Sequence, residues 1–160
     1  MQDSTWHHPT LGQLDNEMLR QLIIARTSNC DNHYSLMLGT DSQLHENRTR
    51  YVTALIIHDV GHGATYVVNS AYEAPPKSLR QKIWRESHIT LTYALFLEEL
   101  LEDVLLQSNV EFQVHVDCGY EGPTRELIRE VTQFFNQAGY TVVVKPDSAA
   151  ASSAANRHSK

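Results

Sequence analysis

Residues 34–71 read YSLMLGTDSQLHENRTRYVTALIIHDVGHGATYVVNSA. Three apolar segments lie within this stretch. Residues 34–41 contain Leu36, Met37 and Leu38, residues 51–58 contain Val52, Leu55, Ile56 and Ile57, and residues 64–71 contain Tyr66, Val67 and Val68. Their β-branched and aromatic content favours strands, because such side chains fit a pleated, half-buried surface. Residues 43–50 leave room for a loose hairpin, and Asp59, Gly61 and Gly63 mark a tighter one. Short links between consecutive strands make an antiparallel meander. His58 and His62 flank Asp59-Val60-Gly61, and this reads as a solvated turn rather than a metal site.

Upstream, Leu11, Leu14, Met18, Leu22 and Ile23 recur at helical spacing, so an amphipathic helix is expected over residues 11–26. Downstream, Pro75 and Pro76 stop the sheet, and Ser78 with Gln81 forms a capping box. A long helix is expected over residues 79–106, then a fourth strand over 112–118 and a loop over 119–122. Pro123 suits the first turn of the next helix, which carries Leu127, Ile128, Val131, Phe134 and Phe135 and ends at Gly139. A fifth strand covers 141–145. The alanine-rich run 149–155 favours a last helix, since alanine is the best helix former. After the first helix the order is β-β-β-α-β-α-β-α.

Three carboxylates stand out against this outline. At about 100° per residue, Leu79, Ile83, Glu86, Thr90, Ala94, Leu97, Leu101 and Val104 share one stripe of the long helix. Glu86 therefore faces the sheet, and an inward carboxylate is costly unless a metal, an arginine or a cleft accommodates it. The plainer reading pairs it with Arg80 or Arg85. Asp41 and Asp117 each close an apolar strand. If the long helix is the crossover between those strands, the strands run parallel and both aspartates sit at their carboxyl ends. At a strand spacing of roughly 4.8 Å the two carboxylates can share a cation, and such ends are where open α/β sheets bind ligands. Taken singly, each aspartate also suits the opening of a turn. Oxygen ligands favour Mg²⁺ or Mn²⁺ over zinc.

The chain has 160 residues, room for one domain. Its net charge of -6 argues against coating nucleic acid non-specifically, but not against touching a few phosphates through metal ions. No apolar run approaches the roughly 20 residues that span a membrane. Residues 1–10 lack a basic region followed by an apolar one, so a cytoplasmic location is expected. The two cysteines, Cys30 and Cys118, form no C-x-x-C pair, which excludes a zinc ribbon. Cys118 reads as a small buried residue.

Gly39-Thr40-Asp41-Ser42-Gln43, Glu86 in its helix, His115-Val116-Asp117, and Lys145-Pro146-Asp147-Ser148 leading to Ala155-Asn156-Arg157-His158 together resemble the YkuK-type family of bacterial ribonuclease H-like proteins. The likeness runs from residue 34 to the C-terminus. It implies an α/β fold of the ribonuclease H-like kind, with a five-stranded mixed sheet and an extra N-terminal helix. Residues 1–33 would be the N-terminal helix and linker, and 34–160 the ribonuclease H-like domain, within one compact unit. It further implies a nuclease whose catalytic, metal-holding residues are Asp41, Glu86 and Asp117. The wider group has a fourth acidic or histidine ligand on the last helix. Here Asn156 stands where Asp is expected, and it offers a neutral oxygen without charge. His158 and Asp147 are the other candidates, although Asp147 also suits a helix N-cap.

The expected activity is hydrolysis of phosphodiester bonds in RNA or DNA with Mg²⁺ or Mn²⁺. Ser42, Gln43 and Gly119 would position the substrate, and Arg80, Lys82, Arg85, Arg125 and Arg129 are candidates for phosphate contact. The alternative is a module that keeps the fold, has lost catalysis and binds nucleic acid or a protein. A nucleotide-binding domain of the actin and sugar-kinase type shares the element order. It needs two such domains, and this chain holds one.

Overall fold

The computed structural model describes residues 5–145. In chain order the elements are β1 (Trp6–His8), β2 (Gly12–Leu14), α1 (Asn16–Arg26), β3 (Tyr34–His45), β4 (Arg48–Asp59), β5 (Gly63–Glu73), α2 (Leu79–Leu100), α3 (Glu102–Leu105), β6 (Val110–Gly119), α4 (Ile128–Gln137) and β7 (Val142–Lys145). The strands form one mixed sheet in the order β2-β1-β5-β4-β3-β6-β7. It has seven strands rather than the expected five. The two additions, β1 and β2, form a hairpin on the edge of β5.

The meander is longer than its apolar segments. β3 and β4 pair without interruption from Tyr34↔Asp59 to His45↔Arg48. The loose hairpin is thus a two-residue turn, in which Glu46 takes a φ of 54°. The β4–β5 turn is tight, as its glycines indicate, with Gly61 and Gly63 at positive φ. His62 is exposed there and its ring lies 3.2 Å from Asp59.

The N-terminal helix is shorter than its apolar spacing suggests. Trp6 and Leu14 are almost wholly buried as strand residues, while Leu11 and Met18 are exposed. His8 Nδ1 accepts the Thr10 and Leu11 amides and closes the turn between the two short strands. Asp15 then caps α1 by accepting the Met18 amide at 2.8 Å. That local bond and the burial of Trp6 outweigh the helical periodicity of residues 11–15.

Half of the capping box on α2 forms: Ser78 Oγ accepts from Gln81 N, while Gln81 Oε1 reaches one residue past the cap to accept from Lys77 N. The inward stripe is Ile83, Glu86, Ser87, Thr90, Ala94 and Leu97. The helix stops at Leu100, and the short α3 carries Val104 onward into the core. Pro123 lies in a turn ahead of α4 rather than in its first helical turn, and Gly139 ends that helix with φ 92°.

One apolar cluster gathers Leu19 and Ile23 of α1, Leu36 and Leu38 of β3, Leu97 of α2, Val114 and Val116 of β6 and Phe135 of α4. Val52, Ala54, Ile56 and Val68 form a second cluster on the opposite face of the sheet. Cys118 is buried and Cys30 exposed, both as free thiols. Burial pushes the Cys118 thiol up to about 11, as expected of an inert core residue. Among the described residues no helix is long and apolar enough to cross a membrane. The last helix and its candidates Asp147, Asn156 and His158 lie outside the described residues.

Candidate functional site

Each residue of β3 that pairs with β6 does so at a constant offset, from Tyr34↔Val110 to Leu38↔Val114, and the strands run parallel. Asp41 and Asp117 each follow the last rung by three residues, in a stretch where β6 shifts register against β7 between His115 and Gly119. The ladder ends at Leu38 and Val114, so the two aspartates stand at the opening where β3 and β6 part. Asp41 does not close its strand as expected, because β3 runs on to His45 in unbroken pairing with β4, and Asp117 lies two residues before the end of β6.

Pleat alternation sets both aspartates on the face away from the main core and leaves Glu86 on the other. Asp41 pairs with Val52, a member of the second cluster, and Asp117 alternates with Val116 and Cys118 of the main core. Ser42, one residue on from Asp41, faces α2 and donates to Glu86 Oε1 at 2.6 Å. The site therefore occupies the rim of the sheet, with Glu86 on the helix side.

Lys82 spans the rim. Its Nζ lies 3.2 Å from Glu86 Oε1 and 3.9 Å from Asp41 Oδ1. The i,i+4 spacing from Lys82 to Glu86 is the sequence signal for this pair, and Lys82, expected near the helix start as a phosphate contact, takes the place beside Glu86 expected of Arg80 or Arg85. Lys145, at the end of β7, places Nζ 2.7 Å from Asp117 Oδ1. Among the described residues no three His, Cys, Asp or Glu side chains are gathered closely enough to hold a metal by themselves. The carboxylates form instead an Asp41–Lys82–Glu86 group beside an Asp117–Lys145 pair.

Burial governs the protonation of this group. It pushes the Glu86 carboxyl up to about 7, with Lys82 and the Ser42 hydroxyl opposing. Burial also raises Asp41, against the Ser42 amide at 2.8 Å and Lys82, while Asp117 adds to the rise. Burial works to lower Lys82, but Glu86 and Asp41 outweigh it and its net shift is upward.

A hydroxyl seam not foreseen from residue spacing fixes α2 against the sheet. Thr90 Oγ1 donates to Thr40 Oγ1 at 2.8 Å, and Thr40 meets Thr53 at 2.9 Å, all three buried. Thr90 also reaches the Glu86 carbonyl. The seam sits one helical turn from Glu86 and one residue before Asp41.

The remaining candidates divide. Gln43 keeps a buried Oε1 without a hydrogen-bond partner. Gly119 has a packing reason for being glycine, since a Cβ there would lie 2.9 Å from Lys145 Cβ. Arg80 is committed to Glu130 and Arg85 to Glu73.

Residues 17–160 match the family described as Ribonuclease H-like. The chain belongs to the ribonuclease H-like family. A relative from Bacillus subtilis (strain 168), the uncharacterized protein YkuK, is 36% identical over 137 residues, covering 79% of this chain and 80% of the relative. No solved structure matches. The YkuK-type resemblance read from the motifs is thereby borne out. Ribonuclease H-like membership ties the chain to nucleic-acid binding or nuclease chemistry, and the residues at the rim must carry anything finer.

Proposed function

We propose that the chain is a divalent-metal-dependent nuclease that hydrolyses phosphodiester bonds in RNA or DNA. One observation carries this reading: Asp41 and Asp117 lie on adjacent parallel strands just beyond their last shared rung, with Glu86 joined to Asp41 through Lys82. The residues fit a metal in their chemistry. All three carboxylates are hard oxygen donors suited to Mg²⁺ or Mn²⁺. Burial raises Asp41 and Glu86, so their charge is under-compensated, and the Lys82 ammonium stands where a cation is favourable.

Asp41 and Asp117 would hold the ions and Glu86 complete the set, with Asn156, His158 or Asp147 as the fourth member. Bound metal supplies an activated water and stabilises the leaving oxygen. The chain's own groups arrange the remainder. Ser42 orients Glu86 by its hydroxyl.

A second reading has its own support. Lys82 and Lys145 already neutralise the carboxylates, which suits a catalytically degenerate module that binds nucleic acid or a protein.

Calorimetric titration of Mn²⁺ and Mg²⁺ into wild type and Asp41→Asn tests the first reading, paired with cleavage of labelled RNA and DNA by wild type and Asp117→Asn. Binding and cleavage that both vanish in the variants, with folding intact, are the expected result. Absence of metal binding with and without nucleic acid, together with no cleavage, would favour the second reading.

A further inference from the structure

The α4 helix presents Arg129, Thr132, Gln133 and Asn136 at spacings i, i+3, i+4 and i+7, which is one face of a helix. With Ile128 and Tyr120 these side chains line a groove of about 540 Å³. Tyr120 is 77% exposed, well beyond the other aromatic rings among the described residues. It follows Asp117 by three residues, so its Cα lies within about 11 Å of that of Asp117 even if the chain is fully extended. The head of the groove therefore lies within that reach of Asp117 along the chain.

Its lining is chemically uncommitted. Arg20, Arg80 and Arg85 each hold a carboxylate, whereas Arg129 has no such partner among the described residues. Glu130, its neighbour, is taken by Arg80. Among the described residues no acidic side chain lines the groove, so the formal charge they give it is positive. Thr132, Gln133 and Asn136 supply both donors and acceptors, which suits phosphate oxygens and base edges alike.

We propose that the outward face of α4, headed by Tyr120, is a track for single-stranded nucleic acid leading away from the Asp41–Asp117 rim. This rests on the nucleic-acid reading above and narrows it to unpaired strands. An exposed aromatic ring stacks on a base only when that base is free of its partner. A polar row with one cation then follows one backbone and reads little sequence. The net charge of -6 agrees with so sparing a use of cations: binding is local and stacking-driven rather than a broad electrostatic embrace.

The test uses the full chain with EDTA present and fluorescein-labelled oligothymidylate, oligouridylate and a matched DNA duplex, read by anisotropy. Wild type is expected to bind the single strands more tightly than the duplex. Tyr120→Ala should weaken single-strand binding about tenfold, the scale of one base–aromatic stack. Arg129→Gln should weaken it and reduce the slope of log affinity against log salt by about 0.7, the value for one phosphate contact on a single strand. Wild-type affinity in both variants, or equal affinity for duplex, overturns the proposal. So does a change of self-association on Tyr120→Ala in sedimentation with strand binding unaltered, which would assign the groove to a second copy. Metal-dependent cleavage unaffected by either variant leaves the nuclease reading standing and removes the track. Tyr120-dependent binding without cleavage does the reverse.

Discussion

Glu86 is a carboxyl group at 4% exposure whose neighbours offset only part of the cost of its charge. Its folded pKa of about 7 exceeds its ordinary 4.5, so the folded state binds its proton more tightly than the unfolded chain does. The sign follows from linkage. Its contribution to stability is full below pH 4.5 and is lost as pH rises through 7. A shift of that size corresponds to roughly 3 kcal/mol. Asp41, also raised, acts in the same direction. Urea unfolding of wild type and Glu86→Gln at pH 5 and pH 8 measures this directly. The glutamine variant keeps a neutral partner for Ser42 and should lose less stability across the interval. Parallel losses in the two proteins would mean that Lys82 compensates Glu86 fully.

At the scale of elements, the position of α2 on the sheet depends on Thr40, Thr53 and Thr90 as much as on apolar packing. Thr40→Val keeps the shape and removes the central hydroxyl. Thr90 retains the Glu86 carbonyl as acceptor, but Thr53 loses its partner while 1% exposed. A buried hydroxyl left unpaired costs about 1–3 kcal/mol, and a fall of that size in the denaturant-derived stability is expected for Thr40→Val. A fall below 0.5 kcal/mol (roughly the level of a neutral substitution) would mean the seam is dispensable. Such a seam is hard to read in sequence, because threonine in a strand is ordinary and its partner is chosen by tertiary packing. Glu86 was legible because seven apolar or small neighbours on its stripe fixed its direction. The β1–β2 hairpin was not, since Leu11 and Leu14 imitate the helical spacing that Leu19 and Ile23 continue. Asp15, three residues ahead of Met18, was the available sign that the helix begins later.

Over the whole molecule, the meander, the crossover helix and the parallel return of β6 followed from apolar runs, prolines and a helix cap, and they set Asp41 and Asp117 on neighbouring strands just past their last shared rung. The lysines filling the rim did not follow, because a long flexible side chain has many reachable partners. On the proposed metal-dependent reading, their presence would couple metal binding to protonation and global stability. A ligand that binds only the folded state raises stability in proportion to the logarithm of its concentration over Kd. The carboxylates must be ionised to bind a cation. With Glu86 titrating near pH 7, one proton is displaced on binding at lower pH, and apparent affinity should fall about tenfold per pH unit below that value. Mn²⁺ at fixed millimolar concentration should therefore raise the thermal midpoint of wild type more at pH 8 than at pH 6. The increment should vanish in Asp41→Asn at both. In Glu86→Gln, any remaining increment should lose most of its pH dependence, which separates the titration of Glu86 from that of Asp41. An increment equal at pH 6 and pH 8 in wild type would place the bound ion away from Glu86 and return the rim to its lysines.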